Sequence, residues 1–252
     1  MLGLGRSDRI IVTTHDKDNA EAINLLQDNL CMSDHEFEKL PLNTVKRLPK
    51  RGFYDKETLF GILDQHFVCH LGWEVDGQPF LIPTAFGRKG ETIYVHGSSK
   101  SRMLSALTDG RPLCLVVTHI DGLVMARSAF HHSMNYRSAI IYGHAREIDG
   151  DEKMEALRIV SDQILPGRWD EVRLPTELEM KATTVLAIEI DSASAKIRTG
   201  PPADDAEDYD LPIWAGILPA YLTFGEPVVD PDMKHQVPKP ASIASRFKKE
   251  RP

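Results

Sequence analysis

The sequence feature that most limits the fold is a series of short, β-rich runs, several of which end in a turn dipeptide. The runs are Val68–Val75, Phe80–Arg88, Thr92–His96, Pro112–Ile120 and Leu123–Ser128. The dipeptides Asp76-Gly77, Lys89-Gly90 and Asp121-Gly122 separate neighbouring runs. Glycine takes the positive φ angles that tight hairpins need. The pattern therefore predicts three hairpins and favours an antiparallel meander over a wound parallel sheet.

The rest of the chain adds strands and helices to this meander. Residue alternation predicts strands over Tyr136–Ile148 and Val185–Ile197, and the second is expected to be the last strand. Apolar residues at helical spacing predict three helices. These are Lys56–His66 with Asp55 as its N-cap, a central helix that buries Met103, Leu104 and Leu107, and Asp151–Leu165. We expect a mainly β, α+β fold in which six or seven antiparallel strands form a small closed or half-closed barrel.

Composition divides the chain into three parts. Residues 1–50 are polar and predict an N-terminal arm with a short helix over Asn19–Leu30. Residues 51–198 contain the predicted barrel. Residues 199–252 combine an acidic patch with many prolines, which predicts a C-terminal arm that is ordered only where it docks. Within that arm, Trp214 either shields a ligand or anchors the arm.

Charge and cysteine content limit the partners and the compartment. The net charge is −7 and the isoelectric point is near 5.8, so the surface repels polyanions and we expect no nucleic-acid binding. We see no apolar run of membrane-spanning length and no secretory signal, so we expect no membrane partner. The cysteines Cys31, Cys69 and Cys114 form no CxxC motif, and the last two lie in apolar runs where buried thiols are expected. These features predict a cytoplasmic protein.

The segment Thr92–Leu107 is the first candidate site, because it reads as a strand, a glycine exit and the start of a helix. Between strand and helix lie Ser98, Lys100, Ser101 and Arg102. Small hydroxyls and two cations at a helix start suit a phosphate group. Serine before a helix is also a common cap, so ordinary capping remains an equal alternative.

Two further segments are unusual for their positions. Pro83 lies in the middle of a predicted strand, where it removes a ladder hydrogen bond and leaves neighbouring backbone groups for a planar ligand. On this residue alone, an edge strand is the better explanation. The segment Ser128–Ser138 is dense in polar side chains and includes His131 and His132. Adjacent histidines in an extended segment point apart, and no HExxH, GxSxG or Walker motif is present, which argues against a zinc or P-loop site.

Three segments share their order and residues with a known family. They are P-x-x-x-P-T at Pro79–Thr84, Y-V-H-G-S-S-K-S-R-M-L at Tyr94–Leu104, and D-G-L-V-M-A-R-S-A-F-H-H-S-M-N-Y-R-S-A-I-I-Y-G at Asp121–Gly143. In this combination the chain resembles the pyridoxamine 5′-phosphate oxidase-like superfamily. Within it, the chain is similar to the flavin-nucleotide-binding branch that also contains the nitroimidazole-resistance (Nim) proteins.

The resemblance implies a split β-barrel that binds FMN and forms a homodimer with FMN at the subunit interface. The residues that it places against FMN are Ile82, Pro83, Thr84, His96, Lys100, Ser101, Arg102, Arg137 and Ser138. The backbone of the first three would lie along the isoalloxazine ring, and His96 would lie near the ribityl-phosphate end. Lys100, Ser101 and Arg102 would contact the phosphate. Arg137 and Ser138 fall at positions that contact the cofactor in the family, and in some relatives these positions reach the partner's flavin.

Two departures from the family narrow the expected activity. Arg102 stands where the Nim proteins typically carry histidine, and no R-x-H motif of the true oxidase is evident, which argues against both of those activities. We expect an FMN-dependent oxidoreductase with an unassigned small-molecule substrate and no named catalytic side chain, because the flavin carries out the redox chemistry. The alternatives are a non-catalytic flavin carrier or sensor, a haem binder using His96, His131 or His132, and a pyridoxal-phosphate binder in vitamin B6 salvage.

Overall fold

A computed structural model describes residues 35–246 of the chain. The described residues from Phe37 onward belong to one compact unit, Phe37–Pro252. The helix predicted over Asn19–Leu30 and the cysteine Cys31 lie outside the described residues. The division into an arm, a barrel and a C-terminal arm stays a prediction.

Within the described residues this compact unit contains one eight-stranded sheet and five helices. The strands are β1 (Gly52–Phe53), β2 (Val68–Val75), β3 (Gln78–Lys89), β4 (Thr92–Ser98), β5 (Pro112–Met125), β6 (Ser133–Ile148), β7 (Thr183–Arg198) and β8 (Gly216–Pro219). The helices are α1 (Lys56–Asp64), α2 (Arg102–Leu107), α3 (Gly150–Ile164), α4 (Glu177–Ala182) and α5 (Ala241–Arg246). None of these helices is both long and apolar enough to cross a membrane.

Six of the strands close into a barrel with antiparallel neighbours. The order is β7-β4-β3-β2-β5-β6, and β6 pairs again with β7 from Tyr136↔Arg198 to Ile148↔Val185. Strands β3 and β4 pair only where Phe86–Lys89 meets Thr92–Val95. Among the described residues, the first half of β3 therefore has a free edge on this side, and the barrel is split there. This confirms the predicted antiparallel split barrel.

The barrel interior is filled by the alternate residues of its strands and by two helices. Completely buried side chains include Leu71, Phe86, Ile93, Leu115 and Ile141. Each such side chain contributes about 1.5–3 kcal/mol relative to full exposure. Helices α1 and α2 add their apolar faces to the same core, as the spacing predicted for both.

Helix α3 packs on the outside of the barrel, against β3 and β4. At Gly87 of β3, an added Cβ would lie 2.8 Å from the backbone of Ile159 and Val160. The helix therefore contacts the strand backbone directly, and only glycine leaves the room for it. A small second cluster that includes Ile148 and Ala156 fills the remaining space below the helix.

Two of the three predicted hairpins are confirmed. Asp76 and Gly77 have φ angles of 52° and 81°, and the turn joins β2 to β3. Gly90, with a φ of 61°, lies in the turn between β3 and β4. Asp55 caps α1 by accepting a hydrogen bond from the Thr58 N–H at 2.8 Å, as predicted.

The third predicted hairpin, at Asp121-Gly122, is wrong. Strand β5 runs through both residues, and the pairing with β6 only shifts register between Ile120 and Gly122, which is a β-bulge. Glycine is needed here for a different reason. A Cβ at Gly122 would lie 3.0 Å from the carbonyl oxygen of Leu218 in β8, so the glycine admits a neighbouring strand.

Strand β7 is not the last strand, contrary to the prediction. Strand β8, from the proline-rich C-terminal region, pairs with Gly122–Met125 of β5. Strand β8 was hard to predict because it has only four residues and its order depends on the surface to which it docks. Trp214 precedes this strand and is 70% exposed, so it does not anchor the arm within the described chain.

The two cysteines that the structure describes differ. Cys69 is buried, as expected, and burial raises the pKa of its thiol to about 12. Cys114 is exposed, so the expectation of a buried thiol is wrong there. It lies on the face of β5 that points away from the core, whereas its neighbours Leu113 and Leu115 point inward.

Candidate functional site

The loop between β4 and α2 is held by hydrogen bonds within the chain. The Ser99 N–H donates to the Ala182 carbonyl at 2.9 Å, and the Ser101 N–H donates to the Ser98 carbonyl at 2.8 Å. The Lys100 N–H donates to Ser98 Oγ at 3.2 Å. Ser101 Oγ caps α2 by accepting from the Leu104 N–H at 3.5 Å. These loop N–H groups already have acceptors, so an anion here depends on side-chain cations.

Two such cations lie at this loop without a carboxylate partner among the described residues. Lys100 is exposed and makes no ion pair there. Arg102 lies over the ring of Phe80, 4.5 Å from its centroid, and Phe80 stacks on Trp73. Helix α2 has only six residues, so its dipole is weak and these two side chains supply most of the positive charge.

The free edge of β3 lies beside this loop. Pro83 pairs with His70 of β2 on one side, whereas β4 pairs only with the later part of β3. The contact between Arg102 and Phe80 joins the start of α2 to this part of β3. The structure therefore places Arg102 against Phe80, which precedes the predicted backbone segment Ile82–Thr84 by two residues in β3.

His96 lines a separate cavity next to the loop. The cavity has a volume of about 420 Å³, and its lining residues are His96, Leu157, Trp169, Arg173, Pro175, Glu179, Met180 and Thr183. The Nδ1 atom of His96 is buried and has no hydrogen-bond partner in the described chain. Burial lowers the pKa of His96 below its usual 6.5, so the ring is neutral near pH 7. Thr183 pairs with Ser98, which places the cavity beside the loop.

Sequence reasoning missed the far wall of this cavity. Helix α4 begins with a capping box in which Thr176 and Glu179 exchange hydrogen bonds, and Arg173 also binds Glu179 at 2.6 Å. Those bonds lower the pKa of Glu179 to about 2. The T-x-x-E spacing is a known helix-start signal and could have identified α4.

Arg137 and Ser138 lie far from Lys100 within one chain. Arg137 Nη2 pairs with Asp121 Oδ1 at 2.9 Å, and Arg137 Nη1 donates to Gln65 at 2.8 Å. Along β7, Ser98 pairs with Thr183 and Ser138 pairs with Lys196, which is 13 residues later (196 − 183). At about 3.3 Å per residue the separation is roughly 40 Å along the strand. One chain does not bring these two predicted groups together.

The segment containing His131 and His132 is held by the C-terminal region. Asp204 is inaccessible to solvent and accepts from the backbone N–H of Arg127 at 2.8 Å and of Ser128 at 3.2 Å. Burial works to raise the pKa of Asp204, but these bonds outweigh it and hold the pKa below its usual value. His131 pairs with Asp205 at 3.3 Å. No metal-binding cluster is present among the residues that the structure describes.

The chain matches the model of the family described as pyridoxamine 5′-phosphate oxidase over residues 55–197. Among solved structures it is similar to the flavocytochrome Anf3 from Azotobacter vinelandii, with 40% sequence identity and a TM-score of 0.77, over 83% of this chain and 97% of that chain. It is also similar to the FAD- and haem-binding protein from Mycobacterium smegmatis, with 36% identity and a TM-score of 0.75, over 78% and 97% of the two chains. A comparison with curated proteins gave no match.

Proposed function

The chain belongs to the pyridoxamine 5′-phosphate oxidase family, and we propose that it is a flavoprotein that binds the flavin phosphate with Lys100 and Arg102. The observation that carries this proposal is the position of the two cations. They have no carboxylate partner in the described chain, and they lie beside the free edge of β3. A flavin with its phosphate at these cations would have its ring within reach of the exposed backbone of Ile82–Thr84.

The choice between FMN and FAD is supported by the relatives rather than by the cations. The sequence predicted FMN, whereas the relative from Mycobacterium smegmatis binds FAD. FMN and FAD share the phosphate next to the ribityl chain, so Lys100 and Arg102 suit both. We propose FAD as the first candidate and FMN as the second. Heat release of the cofactor followed by chromatography against both standards identifies it.

The proposed activity is oxidoreduction of a small molecule. Bound flavin supplies the electron-transfer chemistry, and the protein supplies binding and orientation. In this chain Lys100 and Arg102 hold the phosphate, and the β3 backbone positions the ring. We assign no side chain to acid or base chemistry.

A second proposal concerns haem, because one relative is described as FAD- and haem-binding and the other as a flavocytochrome. The residues around the cavity fit this group. His96 lines the cavity, burial lowers its pKa so that the ring is neutral near pH 7, and the wall includes Leu157, Trp169 and Met180. Neutral imidazole is the form that binds metals, and histidine is a common haem ligand. Haem bound there would supply one-electron chemistry next to the flavin loop.

The absorption spectrum of the purified protein tests both proposals. Flavin gives bands near about 370 and 450 nm, and haem adds a Soret band. We expect His96→Ala to remove the Soret band and to keep the flavin bands. A Soret band that survives His96→Ala places haem elsewhere, and a colourless protein that takes up neither FMN nor FAD overturns the flavoprotein proposal.

Substitution of the two cations tests the phosphate site. We expect Lys100→Ala and Arg102→Ala each to weaken flavin binding by about 1.5–3 kcal/mol, the usual value of a charge-assisted hydrogen bond. Flavin fluorescence titration of the flavin-free protein measures the dissociation constant. Lys89→Ala is the control, because Lys89 is an exposed cation that pairs with Glu155. Unchanged affinity in both site variants places the phosphate elsewhere.

We also propose a homodimer with flavin at its interface. The outer face of the barrel exposes Leu81, Ile120 and Ile140, and Leu81 is 62% exposed. Apolar residues on one face often mark an interface. A dimer would also allow Arg137 of one subunit to approach the Lys100 loop of the other, which one chain alone does not allow. Size-exclusion chromatography with light scattering tests this, and a monomer at micromolar concentration contradicts it.

A further inference from the structure

Arg198, at the end of β7, is a buried cation without a counter-charge in the described chain. Only 7% of the residue is exposed. Its guanidinium makes one hydrogen bond there, from Nη1 to Asn135 Oδ1, and no ion pair. Nε and Nη2 make no hydrogen bond to the described residues, and both are accessible to solvent. Two donor atoms of a fixed guanidinium can therefore bind a ligand.

Asn135 fixes the position of this guanidinium. It is also buried, and its Nδ2 donates to the Gly200 carbonyl at 3.2 Å. That bond turns Oδ1 toward Arg198. Burial lowers the pKa of Arg198, and the nearby charge of Arg51 lowers it further, while Tyr136 opposes them. Burial of an unpaired charge is unfavourable, so the arrangement lacks a stabilising anion.

The surroundings of Arg198 are basic as well. The pairing of Gly52 with Lys196 brings the turn Pro49–Arg51 to the end of β7. The cations of this region that form no ion pair in the described chain are Lys46, Arg47, Lys50, Arg51, Lys196 and Arg198. Residues 41–54 and 192–203 contain no aspartate or glutamate, although the chain carries a net charge of −7. The positive charge is therefore concentrated at this end of the strand.

We propose that Arg198 and Arg51, with Asn135 as the positioning residue, form a second anion-binding site that takes the phosphate group of a small molecule. An arginine pair presents several N–H donors in a planar arrangement that matches phosphate oxygens. The site is separate from the Lys100 loop, because Arg198 is 15 residues along β7 from Thr183 (198 − 183). The proposal does not depend on the assignment of Lys100 and Arg102 to the flavin phosphate.

The phosphate has two possible sources, and the experiment separates them. The protein is first saturated with flavin, and inorganic phosphate is then titrated by calorimetry into wild type, Arg51→Met, Arg198→Met and Lys100→Ala. If the source is a separate phosphorylated molecule, phosphate binds wild type and Lys100→Ala, and binding weakens at least tenfold in both arginine variants. If the source is the flavin, the arginine variants instead lose at least tenfold in flavin affinity.

Two results overturn the proposal. One is that neither phosphate nor flavin affinity changes in either arginine variant. The other is that phosphate binding is lost only in Lys100→Ala, which shows a single anion site. Arg51 is partly exposed and packs in no core cluster, so Arg51→Met keeps the test valid if Arg198→Met does not fold. Circular dichroism and the melting temperature of each variant verify folding.

Discussion

The two ends of β7 carry positive charge in different ways. At the Thr183 end, Lys100 and Arg102 extend from a short loop whose hydrogen bonds are mostly local. At the Arg198 end, the cation is buried and its partner, Asn135, lies 63 residues away in sequence. An exposed cation costs the fold little, whereas a buried one requires partners fixed by the surrounding structure. Substitution of the cations at the first end should therefore cost little stability, whereas the second end combines a candidate site with a structural role.

We expect the greatest loss of stability from a substitution at Gly143 of β6, which pairs with β7 between its two ends. A Cβ at Gly143 would lie 2.1 Å from the carbonyl oxygen of Glu189, so Gly143→Ala forces the strands apart. We expect it to lower the free energy of unfolding by about 3 kcal/mol or more. Urea denaturation measures this value.

Gly61→Ala is the matched control for this substitution. A Cβ at Gly61, within α1, has no atom within 4 Å. Alanine is a better helix former than glycine, so we expect a gain of about 0.5–1 kcal/mol. If Gly143→Ala is as stable as wild type, the close pairing of β6 with β7 does not fix the positions of the two ends of β7, and the comparison between the ends is not supported.

A pair of substitutions separates the two ends by stability. Asn135→Ala removes the hydrogen-bond partner of the buried Arg198, and we expect a loss of about 1–3 kcal/mol. Ser101→Ala removes the cap of α2 at the other end, and we expect a loss of about 1 kcal/mol. Chemical denaturation of both variants gives the order. A larger loss from Ser101→Ala contradicts the structural role assigned to the Arg198 end.

The weakest predicted effect is a pH dependence of stability, to which the first end of β7 contributes and the Arg198 end does not. Because the pKa of His96 is lowered by burial, the unfolded chain binds a proton at a higher pH than the folded chain does. The contribution of His96 is complete above the unfolded value of 6.5 and is lost as the pH falls from there through the folded pKa. Arginine stays protonated throughout this range, so Arg198 adds no such slope.

Urea midpoints at pH 7.5 and 5.5 test this for wild type and His96→Gln. We expect the wild type to lose more stability between the two pH values than His96→Gln does. The pKa of His66 is also lowered, by burial and by His119, and it contributes equally to both proteins. Identical losses in the two proteins show that His96 is not the titrating group.

Local sequence patterns predicted the parts of the fold and of the candidate site that are formed by residues close together in the chain. The turns at Asp76-Gly77 and at Gly90, the Asp55 cap and the buried face of α2 follow from turn, capping and spacing chemistry that acts over a few residues. Lys100 and Arg102 are two residues apart, so their grouping is also visible in the sequence. The same rules misread Asp121-Gly122, because a glycine that admits a neighbouring strand looks like a turn glycine in sequence.

The antiparallel strands, the central helix and the cation pair that follows β4 could be predicted from residues close together in the chain. The other features depend on the assembled barrel: Arg137 lies far from Lys100, His96 faces a cavity, and Arg198 is a buried cation without a counter-charge in the described chain. The physical reason is the range of the interactions. Turns and caps depend on residues a few positions apart, whereas burial and charge pairing depend on which distant strands become neighbours when the barrel closes.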